Sequence, residues 1–140
     1  MSTVFKSITD VEDAYYDAID ESDLDKMMSV WADSGDIACL LPMQPMQHGR
    51  KAIRELWKNM FEQELQIDIT VNHLQWIERN DVAIHLLEEV VTPVGNSQRQ
   101  PPIYASNIYH RDDTGWHLLL HINSPAPPPA AVLPPLPGNN

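Results

Sequence analysis

The chain predicts an α+β domain in which three helices precede an antiparallel run of strands. Three observations carry that prediction. Apolar residues recur at helical spacing as far as about Gln63. Beyond it the period falls to two, as in "QIDITV", where apolar and polar residues alternate. Asn80-Asp81 and Asp113-Thr114-Gly115 supply hairpin turns between later strands. At 140 residues and 43% hydrophobic, the chain supports one well-cored domain, placed at residues 1–124. "SPAPPPAAVLPPLPG" holds seven of the 12 prolines, which sets 125–140 apart as a Pro-rich C-terminal arm.

Each element has its own signature. Helix one is expected from Thr9, with Glu12 completing a capping box. Ile8, Val11, Tyr15, Ala18 and Ile19 share one side, and Asp13, Asp17 and Asp20 the other. Ser22 or Asp23 can cap helix two, whose apolar stripe is Leu24, Met27, Met28 and Trp31. "IACLL" reads as a buried strand. Helix three, Gly49 to about Gln63, carries Ile53, Leu56, Trp57, Met60 and Phe61. "QIDITV", "HLQWIER", "VAIHLLEEVV", "YASNIYHR" and "WHLLLHIN" follow as strands.

Composition excludes several functions. A net charge of -11 repels phosphate backbones and anionic lipid, so neither nucleic acid nor a membrane is an expected partner. Residues 9 to 36 hold ten acids against the single Lys26, at spacings that suit a solvated helix face. No apolar run approaches the ~20 residues that span a bilayer. The N-terminus lacks an apolar core of signal-peptide type, and Cys39 is the only cysteine, so a cytoplasmic setting is expected. No phosphate loop is present. The histidines His48, His73, His85, His110, His117 and His121 form no close pair within a helix. His117 and His121, on one strand face, stand roughly 13 Å apart at ~3.3 Å per residue. Neither a metal nor a cofactor is therefore expected.

The segments "DLDKMMSVWADSGD", "PMQHGRKAIRELW" and "WHLLLHINSP" resemble the nuclear transport factor 2-like superfamily, in its SnoaL-like and ketosteroid-isomerase-like branch. The resemblance runs from Ile8 to Pro125. It implies a cone-shaped, cystatin-like fold: three N-terminal helices wrapped by a strongly curved antiparallel sheet, with a pocket at the open end. In the isomerase pattern the oxyanion-donating tyrosine falls on Tyr15 and the second acid near Asn107. The base aspartate falls on Leu41, which cannot accept a proton.

With Gly115 in a left-handed position, Asn107 pairs with His121 and Ala105 with Asn123, on the face that the resemblance makes concave. His121 is then the candidate general base or acid, with Tyr15 and Asn107 as donors. Trp31, Leu41, Met43, His48, Trp57 and Asn123 are candidate ligand-binding residues. Ile108, Leu118, Leu120 and Ile122 fall on the opposite face, an apolar patch that suggests a homodimer through the outer sheet. Two functions fit: a binding or association module for a small apolar ligand, or a cofactor-independent isomerase, dehydratase or cyclase acting on a hydrophobic carbonyl compound.

Overall fold

Ser7, in extended conformation, caps α1 (Ile8–Glu21), its Oγ accepting from the Asp10 amide at 3.0 Å. The expected capping box at Thr9 is thus displaced, because Glu12 turns into the core instead of back toward the helix start. Asp23 caps α2 (Leu24–Val30) by accepting from the Lys26 amide at 3.0 Å. After β1 (Ala38–Leu40), a strap containing left-handed Met43 (φ 62°) leads to β2 (Gln47–His48) and α3 (Gly49–Glu62). Four longer strands follow: β3 (Ile67–Glu78), β4 (Val82–Pro93), β5 (Ile103–Asp112) and β6 (Gly115–Pro125). This computed structural model describes residues 4–63, 67–93 and 101–125, so the Pro-rich arm beyond Pro125 lies outside the described residues.

The six strands form one curled sheet in the order β2-β1-β6-β5-β4-β3. All neighbours are antiparallel except β1 and β6, which run parallel. The two strands expected at "QIDITV" and "HLQWIER" are one strand, β3, interrupted by a register shift between His73 and Gln75. A second irregularity lies in the β5–β6 pair, where Ile108 faces Leu120 but Tyr109 faces Leu118. One residue slipped in this way exchanges the two faces of a strand. Leu118, expected outside, is consequently wholly buried, and the expected common face of His117 and His121 is lost.

The core fills the concavity. Val11, Tyr15 and Ala18 from α1 meet Met27 and Val30 from α2, Ile53 and Trp57 from α3, and Tyr109 and Leu118 from the sheet. Each such large side chain contributes about 1.5–3 kcal/mol by leaving water. Trp31, Trp57 and Trp116 are buried, whereas Trp76 is exposed on β3. Among the described residues, no helix is long and apolar enough to cross a membrane.

Gly115 pins the N-terminal segment to this sheet. Its φ is +105°, and a Cβ built there would stand 2.6 Å from the Phe5 carbonyl oxygen, which accepts from the Trp116 amide at 2.8 Å. Gly115→Ala is therefore expected to cost about 1–3 kcal/mol in urea denaturation. Gly35→Ala, with open space around it, is expected to stay within about 0.5 kcal/mol.

Candidate functional site

Between α1, α3 and the sheet lies a cavity of about 290 Å³, at the small end of ordinary ligand sites. Its walls are mostly hydrocarbon and aromatic: Ile19, Leu41, Trp57, Met60, Phe61, Ile67, Ile69, Val91 and Ile103. Tyr15, Glu89, His121 and Asn123 bring polar groups to it. Strand alternation explains their meeting. Leu87 and Glu89 on β4, Ala105 and Asn107 on β5, and His121 and Asn123 on β6 all point inward in paired register. Asn107 does face His121, and Ala105 does face Asn123.

The polar groups close into a ring. Tyr16 donates to Glu89 Oε2 at 2.7 Å, and Asn107 Nδ2 donates to the Tyr16 hydroxyl at 3.1 Å. Asn123 Nδ2 donates to Glu89 Oε1 at 2.9 Å and to the Tyr104 carbonyl at 3.1 Å. Both amide groups are thereby oriented, and their oxygens turn toward His121. Asn107 Oδ1 meets His121 Nδ1 at 2.5 Å, and Asn123 Oδ1 meets Nε2 at 2.9 Å. Each ring nitrogen of His121 therefore faces a side-chain amide oxygen. Glu89 Oε2 lies 3.9 Å from His121 Nε2.

This arrangement reassigns the expected roles. His121 lines the cavity, but both its ring nitrogens are engaged by protein amide oxygens, so neither is directed at a ligand. Asn107 is fully buried behind the wall, its amide committed to Glu12 and Tyr16. Tyr15 reaches the cavity, and burial pushes its hydroxyl well above the usual phenol range, so it remains a neutral donor. Leu41, Trp57 and Asn123 also line the cavity. Trp31, Met43 and His48 do not. Trp31 borders a wider groove, whose Asp25, Asp33 and Arg54 are exposed. Met43 is fully exposed and lines an adjoining apolar groove that shares Leu41, Ile103 and Asn123 with the cavity. His48 is exposed at the start of α3. Burial also pushes the Cys39 thiol up to about 12, despite the Trp57 indole beside it, which makes it a poor nucleophile.

Sequence reasoning missed two carboxylates. Glu89 is one. Glu12 is the other, 4% exposed and surrounded by donors from three strands. His73 Nε2 and the Tyr109 hydroxyl bond to it, His85 Nδ1 lies 2.9 Å from its Oε2, and Asn107 Nδ2 lies 3.3 Å away. Burial alone would push this carboxyl up, but the bonds from His85, Tyr109 and His73 outweigh it and hold Glu12 at about 2. A carboxyl depressed on folding gives stability that is full above its unfolded value of 4.5 and is lost as pH falls toward 2. On the order of 3 kcal/mol should therefore disappear across that window in denaturation curves, and Glu12→Gln should flatten the dependence.

The chain belongs to the SnoaL-like domain family, whose model matches residues 8–128. The fold is the cystatin-like one that solved NTF2-like structures share. A "putative calcium/calmodulin-dependent protein kinase type II association domain" from Thiobacillus denitrificans is 32% identical, with a TM-score of 0.85 over 90% of this chain and 100% of that one. A "putative dehydratase from the NTF2-like family" from Streptomyces avermitilis is 22% identical, with a TM-score of 0.74 over 84% of this chain and 92% of that one. An NTF2-like protein of unknown function from Pseudomonas putida is 16% identical, with a TM-score of 0.76 over 91% and 94% of the two chains. No curated protein matches the chain significantly.

Proposed function

We propose that this domain binds a small, mostly hydrocarbon molecule in the cavity, with Glu89 and Tyr15 reading one polar group on it. The observation that carries this reading is a hydrocarbon-walled space of about 290 Å³ with a single buried carboxylate at its polar end. Apolar walls supply affinity, and the pre-ordered Glu89–Asn123–His121 cluster supplies orientation. The test is a thermal-shift screen of one- and two-ring alcohols and ketones. Saturation at ~100 times Kd adds about 2.7 kcal/mol, a rise of a few degrees for a chain of this size. A screen without hits, or hits that bind Glu89→Ala unchanged, would count against the reading.

A cofactor-independent enzyme of isomerase, dehydratase or cyclase type is the second reading, and Glu89 favours it. The carboxylate that Leu41 cannot provide is supplied from β4 instead, where it could accept a proton from a carbon beside a bound carbonyl. Deuterium wash-in at that carbon, followed by NMR, distinguishes the two. An enzyme exchanges the proton and Glu89→Gln abolishes the exchange, whereas a binding module leaves the carbon untouched.

The same reading includes a homodimer through the outer sheet face in a cytoplasmic setting. Ile84, Leu86, Ile108, Leu120 and Ile122 remain half-buried on that face of one chain. The Thiobacillus relative is named for association, which is in keeping with this. Sedimentation should give twice the chain mass for the parent protein and the single-chain mass for Leu120→Glu.

A further inference from the structure

Glu12, His73 and His85 come from α1, β3 and β4, yet their ligating atoms lie within 4.8 Å of one another. We propose that these three side chains form a binding site for a divalent transition-metal ion of the Zn²⁺ class. Two imidazole nitrogens and one carboxylate oxygen are a donor set that Zn²⁺, Co²⁺ and Ni²⁺ readily accept.

The geometry needs little change. His73 Nε2 bonds one oxygen of Glu12, and His85 Nδ1 stands 2.9 Å from the other, so both rings already aim at one carboxylate. Around an ion with bonds of ~2.0–2.1 Å, tetrahedral ligand atoms sit roughly 3.3 Å apart, so separations of at most 4.8 Å close by no more than ~1.5 Å. The ion would replace the protons that these hydrogen bonds hold.

Access and support are both present. The Glu12 and His85 side chains are 6% and 2% exposed, while His73 is 32% exposed on edge strand β3 and can swing to admit an ion. Trp76 stacks on His85 at 4.5 Å, and the Tyr109 hydroxyl bonds Glu12, so outer groups orient two of the three ligands. The exposed side near His73 leaves a fourth position for water. A chain of net charge -11 also favours a cation. Strand alternation hid the trio from sequence inspection, because its members are 61 and 12 residues apart.

The experiment uses the full chain, stripped with chelator and dialysed into metal-free buffer. Zn²⁺ is titrated by calorimetry and Co²⁺ by visible absorption. One ion per chain is expected, with the d–d bands of low-coordinate Co²⁺. His73→Ala, at an exposed strand position that should not unfold the domain, is expected to weaken Zn²⁺ binding by at least ~100-fold. His48→Ala and His110→Ala are expected to bind within about twofold of the parent. Zn²⁺ should also raise the Tm of the parent but not of His73→Ala. Absence of binding, unchanged binding by His73→Ala, or an equal loss in His48→Ala would overturn the site. The last result would mark an adventitious surface ion.

Discussion

Glu12→Ala is expected to lower folding stability by about 3–5 kcal/mol, read from urea denaturation at neutral pH. The substitution removes little hydrocarbon, so packing loss cannot account for a change of that size. Its effect is to strand donors. Tyr109 and Asn107 are wholly buried and His85 nearly so, and all three direct a proton at Glu12. Buried polar groups without partners cost about 1–3 kcal/mol each, more where a charge is involved. Glu12→Gln keeps one acceptor oxygen and should lose roughly half as much. A loss under about 1 kcal/mol for Glu12→Ala would mean that the network is not intact in solution.

Glu89→Ala is expected to weaken cavity-binding compounds roughly 10- to 100-fold, the range for losing a hydrogen bond to a charged group. It also removes the carboxylate that orients Tyr16 and Asn123 beside His121. Stability should therefore fall together with binding, which makes Glu89→Gln the more informative partner. The amide retains much of the shape and some contact with Tyr16 and Asn123, so it separates charge from packing. Glu88→Ala is the control. Glu88 neighbours Glu89 in sequence but occupies the opposite, outer face of β4, and it should leave binding unchanged.

Much of this site was visible in the sequence before any coordinates. The pairing of Asn107 with His121 and of Ala105 with Asn123 is the expected one, but it does not come from a three-residue Asp113-Thr114-Gly115 loop: Asp112 pairs with Gly115 across a two-residue turn, and the slip between Ile108 and Tyr109 restores the register. Tyr15, Leu41 and Trp57 follow from helix and strand periodicity and from the family resemblance. Leu118 was misplaced because a bulge leaves no mark in a run as uniform as "WHLLLHIN", and one slipped residue exchanges inside for outside. Trp31, Met43 and His48 do not line the cavity, because the end of α2 and the strap carry them elsewhere.

The two missed carboxylates did leave signals. Glu12 falls in register with Ile8, Tyr15 and Ile19 on the apolar stripe of α1, a position where an acid must find partners inside. A capping role at the helix start accounts equally well for an acid at this position, so the sequence alone does not mark Glu12 as inward-facing. Glu89 alternates in phase with His85 and Leu87, so the separation of Glu88 and Glu89 onto opposite faces was correct. What that separation implies is a lone inward carboxylate facing His121, and only the β4–β5–β6 pairing brings the two together.

The most direct test is methyl NMR of the full chain during titration with the strongest compound from the thermal-shift screen. The cavity account predicts shifts concentrated on Leu41, Met60, Ile67, Ile69 and Ile103, with Leu120 and Ile122 on the outer face unmoved, and it predicts that Glu89→Ala suppresses them. Shifts centred instead on Met28 beside the Trp31 groove, or a cavity pattern that persists in Glu89→Ala, would contradict it.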